Sequence, residues 1–97
     1  MKRLILAIAL AAPFAYADQS KCQKIGQLSS KIMESRQRGA PMSDLMQIAG
    51  DSELMQQIVI DAYETPRFSS DKYQENAIKD FRSEWELACY KAMKGST

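Results

Sequence analysis

An all-α fold, a small disulfide-closed bundle of three to four helices, is what three features of this 97-residue sequence predict. Apolar residues recur at three- and four-residue steps in each long segment after Ala17, and no segment alternates as a strand does. Two cysteines, Cys22 and Cys89, lie near the two ends of that region. An N-terminal export signal directs both to an oxidising compartment, where Cys22–Cys89 is the only intramolecular pairing.

The signal is read from the first 17 residues. Met1-Lys2-Arg3 is a positive leader, Leu4 to Ala12 is uninterrupted apolar sequence, and Pro13 breaks that run. Ala15-Tyr16-Ala17 puts small residues at the −3 and −1 positions of a cut after Ala17, completing a secretory signal peptide. The competing reading, a membrane-spanning helix, needs about 20 apolar residues, roughly twice what is present. Cys22 lies five residues past the cut, which argues against a lipid-anchored product. The expected division is a signal peptide over 1–17 and a helical domain over 18–97, located in the periplasm with no membrane anchor after cleavage.

Cleavage removes Lys2 and Arg3, leaving eleven basic and twelve acidic side chains and a net charge of −1. Nucleic acid and anionic membrane both demand a basic footprint, so neither is expected as the main partner. The sequence has no histidine, which removes the usual general base and the usual zinc ligand. A domain of this size buries only about 60% of its unfolded surface. A cross-link between its ends compensates by constraining the unfolded chain. Two free thiols or an intermolecular bridge are the alternatives. The spacing is not Cys-x-x-Cys, so the pair reads as a staple and not a redox site.

Each helix has its own start and stop. In the first, Cys22, Ile25, Leu28, Ile32 and Met33 form one face, and Gly39 with Pro41 ends a helix running from about Ser20 to Arg38. Ser43 is the expected N-cap of a short second helix with Leu45, Met46 and Ile48 as its apolar face. Gly50 interrupts it, and Asp51 or Ser52 caps a third helix carrying Leu54, Met55, Ile58, Val59, Ala62 and Tyr63 to about Glu64. A single helix kinked at Gly50 is the alternative. Thr65-Pro66 stops that segment. Ser69 or Ser70 then caps a last helix from about Asp71 to Lys94, whose stripe is Ala77, Ile78, Phe81, Trp85, Ala88, Cys89 and Ala92. Bridging Cys22 to Cys89 makes the first and last helices antiparallel, with the middle pair laid across them.

Few residues carry chemistry. Asp80 and Glu84 form a carboxylate pair one helical turn apart, but acid–base catalysis by such a pair needs a cleft around it. The plainer reading is a solvated helix face, and no enzymatic activity, cofactor or metal site is expected. Met42, Met46 and Met55 cluster in the middle segment; thioethers there fill core gaps or, alternatively, line an adaptable groove or ligate copper(I). Two corners combine residue types common at interaction hot spots. One holds Arg36, Arg38 and Met42, the other Tyr63, Arg67 and Phe68. These six are the candidate partner-binding residues. A structural role is equally physical: Phe68 packing on the first turn of the last helix, and Arg67 capping carbonyls or pairing with Glu64.

The stretches "RQRGAPMSDLM", "IVIDAYETPRF" and "AIKDFRSEWELACYK", with both terminal cysteines, resemble a group of small exported proteins of bacteriophages, prophages and proteobacteria. The resemblance spans nearly the whole chain after Ala17 and implies export and a phage or bacterial origin; the group has no established activity to carry over. A second likeness, to periplasmic acid-stress chaperones of the HdeA type, rests on size, helical content, one disulfide and the late "DFRSEW" helix, and is architectural. The expected function is a non-enzymatic binding protein acting on another protein of the bacterial envelope. The alternatives are an acid-stress holdase, opened by protonation of carboxylates, and a secreted inhibitor of an envelope enzyme.

Overall fold

The computed structural model describes the backbone of residues 2–95 and the side chains of residues 20–94. The described residues form four helices, α1 (Lys2–Gln37), α2 (Met42–Ala49), α3 (Glu53–Glu64) and α4 (Asp71–Gly95). The described residues contain no strand. The side chains of residues 1–19, which carry the expected export signal, lie outside the described set.

Most boundaries fall where local chemistry puts them. Gly50 adopts φ +56° and its N–H bonds the Met46 carbonyl, which separates α2 from α3 as two helices. Ser52 caps α3, its side chain accepting from the Met55 N–H at 3.2 Å. Thr65, held extended by Pro66, ends it. Ser70 caps α4 by accepting from the Tyr73 N–H at 3.2 Å.

Two boundaries differ from expectation. The first helix does not start at Ser20: Phe14 to Gln19 contains neither glycine nor proline to interrupt it, and the helical backbone continues through Pro13 back to Lys2. Ser43 does not cap α2. Pro41 occupies that position with φ −65° and ψ 143°, makes no side-chain cap, and the helix begins at Met42. The Pro41 carbonyl accepts from the Asp44 N–H at 3.1 Å, so the first turn closes before Ser43 is reached.

A disulfide joins Cys22 of α1 to Cys89 of α4 with Cα atoms 5.6 Å apart, and the two helices run antiparallel. Packed helix axes ordinarily lie 8–10 Å apart, so a short cross-link requires small residues around it. The buried stripe of α1 supplies them: Cys22, Gly26, Ser29, Met33 and Gln37, with Ile32 beside it. A Cβ on Gly26 would overlap the Glu86 side chain, which crosses that helix face and pairs with Arg82 at 3.1 Å. The buried Ser29 hydroxyl donates to the Gly26 carbonyl at 2.9 Å. The face predicted through Ile25 and Leu28 is therefore rotated; both residues are only half-buried.

The core gathers Ile32 and Met33 of α1, Leu45 of α2, Ile58, Val59 and Ala62 of α3, and Ala77 and Phe81 of α4. Met46 and Met55 pack against it, the gap-filling role that unbranched thioethers suit, while Met42 is exposed. Of the middle pair, α3 does not cross the α1–α4 pair. Leu54 at the start of α3 shares a cavity with Ile25, and Thr65 at its end bonds Arg36, so α3 runs alongside α1 in the same sense.

Loss of the bridge tests how far the core suffices. Cys22→Ser with Cys89→Ser opens a loop of 67 residues and should lower stability in urea by about 4 kcal/mol. An unchanged denaturation midpoint would show that the helical core holds the ends together unaided.

Candidate functional site

The two corners named from the sequence meet at one end of the bundle. Where α1 stops, the Gly39 N–H bonds the Arg36 carbonyl at 3.1 Å and the Ala40 N–H bonds the Ser35 carbonyl at 3.0 Å. This is a Schellman closure, with Gly39 at φ +94° as the left-handed residue it needs. The next free carbonyl, on Gln37, accepts from Arg67 Nε at 3.0 Å. Arg67 thus caps α1 across the bundle, and its guanidinium lies so close to Gly39 that a Cβ there would stand 3.0 Å from it.

Gln37 is the centre of this end. Only 1% exposed, it donates from Nε2 to the Pro66 carbonyl at 2.9 Å and accepts at Oε1 from the Phe68 N–H at 2.8 Å. Its amide orientation follows from these partners, since a carbonyl only accepts and an N–H only donates. A further contact runs from Nε2 to the Met33 sulfur at 3.5 Å. Arg36 Nε donates to the Thr65 carbonyl at 3.2 Å, and Gln74 of α4 donates to the Phe68 carbonyl at 2.6 Å. Loop 65–68 is therefore held to α1 and α4 through its own backbone. Gln37 was not singled out from the sequence, where it reads as one more polar residue near a helix end.

Each candidate residue can now be placed. The Arg36 guanidinium lies over the Tyr63 ring, 4.9 Å from its centroid, and the Tyr63 hydroxyl donates to the Ala40 carbonyl. Phe68 packs against the core and sits 6.1 Å from the Tyr73 ring. Arg67 bonds Gln37, and among the described residues it makes no ion pair with Glu64. Arg38 and Met42 point outward, Arg38 pairing with Glu34 at 2.7 Å. Arg36, Tyr63, Arg67 and Phe68 thus bind other elements of the bundle, Arg38 pairs only within its own helix, and Arg38 and Met42 face solvent. Asp80 and Glu84 line a cavity of about 380 Å³ together with Phe68, Tyr73 and Phe81.

A different surface stands out at the opposite end. Beside the disulfide, α1 and α4 flank an apolar groove of about 460 Å³, and Leu54 of α3 closes one side. Trp85, Ala88 and Ala92 form a stripe along its α4 wall, with Ile25 on the α1 wall. Ala88, Ala92 and Leu54 were expected inside; they are exposed, Leu54 at 45%. The reason is length: α3 begins at Glu53, its Leu54 reaches the groove beside Trp85, and among the described residues α3 offers no cover for α4 beyond that. Trp85 keeps its indole N–H bonded to Asp61 at 2.9 Å and turns edge-on to Phe81. The Met93 sulfur lies 3.7 Å from Cys22 Sγ, a sulfur–sulfur contact since the bridged cysteine has no hydrogen to donate. Among the described residues no cluster of three His, Cys, Asp or Glu is arranged for a metal ion. None of the described helices is long and apolar enough to cross a membrane.

Burial pushes the Tyr63 phenol above its ordinary value of 10.0, Asp44 raises it further, and Arg36 opposes both. A raised folded-state value favours the protonated form, so this contribution is complete below about pH 10 and is lost as pH rises through the folded value. In a tyrosinate absorbance titration Tyr63 should ionise above its ordinary value of 10.0. Tyr63→Phe should remove that step and weaken the alkaline loss of stability; an unchanged titration would contradict the burial. Gln37→Leu leaves the Pro66 carbonyl and the Phe68 N–H without partners and should cost about 3 kcal/mol in urea. Arg67→Ala, exposed and with one bond, should cost about 1 kcal/mol. Equal losses would mean that the amide clasp does not dominate.

Comparison with protein-family models, curated proteins and solved structures finds no match to this chain.

Proposed function

We propose that this is a small exported, non-enzymatic binding protein that uses the groove beside its disulfide to take up an apolar segment of a protein in the bacterial envelope. The observation that carries this reading is the groove itself. A small domain has little apolar surface to spare, yet Ile25, Leu54, Trp85, Ala88 and Ala92 line a cavity that the fold leaves open. The disulfide fixes both walls, so the surface is preorganised and little is lost to ordering on binding. The N-terminal sequence pattern supports export, and the resemblance to small phage and proteobacterial exported proteins supports export and a phage or bacterial origin. Arg36, Tyr63, Arg67 and Phe68 act in this reading as the clasp that stabilises the far end. The exposed Arg38 and Met42 remain available for contact.

The test is crosslinking in periplasmic extract with the oxidised protein and two variants. Ala88→Arg fills the groove from an exposed helix position and should lose the captured partner, while Arg67→Ala should keep it. Capture lost only with Arg67→Ala would move recognition to the corner. Suppression of client aggregation at about pH 2–3, absent at neutral pH, would favour the acid-holdase alternative.

A further inference from the structure

We infer that the occupant of the groove is an amphipathic helix from another protein, carrying acidic residues beside its apolar face. This inference rests on the groove being the binding surface and adds the shape and charge of what fits it.

Shape comes from the helices around it. α1 and α4 run antiparallel, and their uncovered portions present stripes at helical spacing. On α1 these are Lys21, Ile25 and Leu28; on α4 they are Trp85, Ala88 and Ala92. Two antiparallel helices so arranged lack the third that would complete a bundle layer, and ridges of an incoming helix fit the groove between them. Ala88 and Ala92, one turn apart and exposed, let a helix backbone approach closely. The α4 wall from Trp85 to Met93 is about 12 Å long at 1.5 Å per residue, enough for about two turns. Recognition of this kind uses anchors at i, i+3, i+4 and i+7.

Charge selects the occupant. The groove continues along α1 into a second apolar cavity of about 440 Å³ that shares Lys21, Ile25 and Leu54 and adds Lys24 and Leu28. Among the described residues, two exposed lysines line this continuous trough and no carboxylate does. A second copy of the chain would set lysine against lysine. The chain's own leader, residues 1–17, is removed in this reading and so is not the occupant. An acidic helix from a different protein satisfies both walls and rim.

Trp85 is the only tryptophan in the chain and lines the groove, so its emission reports occupancy directly. The oxidised protein is titrated with three synthetic helical peptides sharing one apolar face and bearing acidic, neutral or basic flanks. Separate titrations use phosphatidylglycerol vesicles and the protein alone at rising concentration. The acidic peptide should shift Trp85 emission saturably, more weakly at high salt, and bind about tenfold less tightly to Lys21→Glu/Lys24→Glu. That variant should instead prefer the basic peptide. Equal binding of all three peptides, abolished by Ala88→Arg, would overturn the charge assignment while leaving the groove as the site. A shift with vesicles alone, or a concentration-dependent dimer, would replace the helix with a lipid surface or a second copy. No response to any of them would overturn the inference and the groove together.

Discussion

One buried amide determines how this chain makes its sharpest return. After α3, residues 65–68 must turn so that α4 can run back along α1, and proline at 66 leaves that loop short of a donor. Buried loop backbone without partners is expensive, because each unpaired group forfeits its hydration. Gln37 resolves this by presenting an acceptor to the Phe68 N–H and a donor to the Pro66 carbonyl from one rigid plane. Arg67 returns a bond to the Gln37 carbonyl. The C-terminus of α1 and the α3–α4 loop therefore complete each other.

The opposite end is held covalently instead. Cys22–Cys89 fixes α1 against α4 where the core has thinned, and the small residues of the α1 stripe let the helices come close enough for it. Between these two attachments lies a core of eight buried residues drawn from all four helices. Because α3 begins only at Glu53, the two long helices extend past the cover it provides. A disulfide permits that, since the ends stay together without apolar residues sealed between them. The groove is thus a consequence of which bond holds which end, and Trp85, anchored by Asp61, keeps its wall in place.

How much of this the sequence disclosed depends on the range of the interaction. Gly50, Ser52, Thr65-Pro66 and Ser70 act within a turn of themselves, and the boundaries they set match the structure. The bundle followed from helical spacing and a single possible pairing of two cysteines. The buried face of α1 was legible only approximately, because Gly26 and Ser29 are small rather than apolar and periodicity weighs hydrophobicity. Gln37 was hidden for a related reason: its partners are backbone groups about thirty residues away, and backbone carries no sequence signal. Arg67 was recognised as important, and a carbonyl-capping role was among the readings, but the carbonyl belongs to α1. Ala88 and Ala92 fit the stripe equally well inside or outside; only the length of α3 decides.

The most direct measurement of the clasp is hydrogen exchange at the Phe68 amide. Phe68 lies outside every helix, so its amide has no regular partner to protect it. If Gln37 Oε1 holds that amide in the folded state, it should exchange only on global opening, as slowly as the amides of Ile58 and Val59 in the core. Exchange at the rate of an open loop would show that the loop is not fastened to α1, and the account of how this bundle closes would fail.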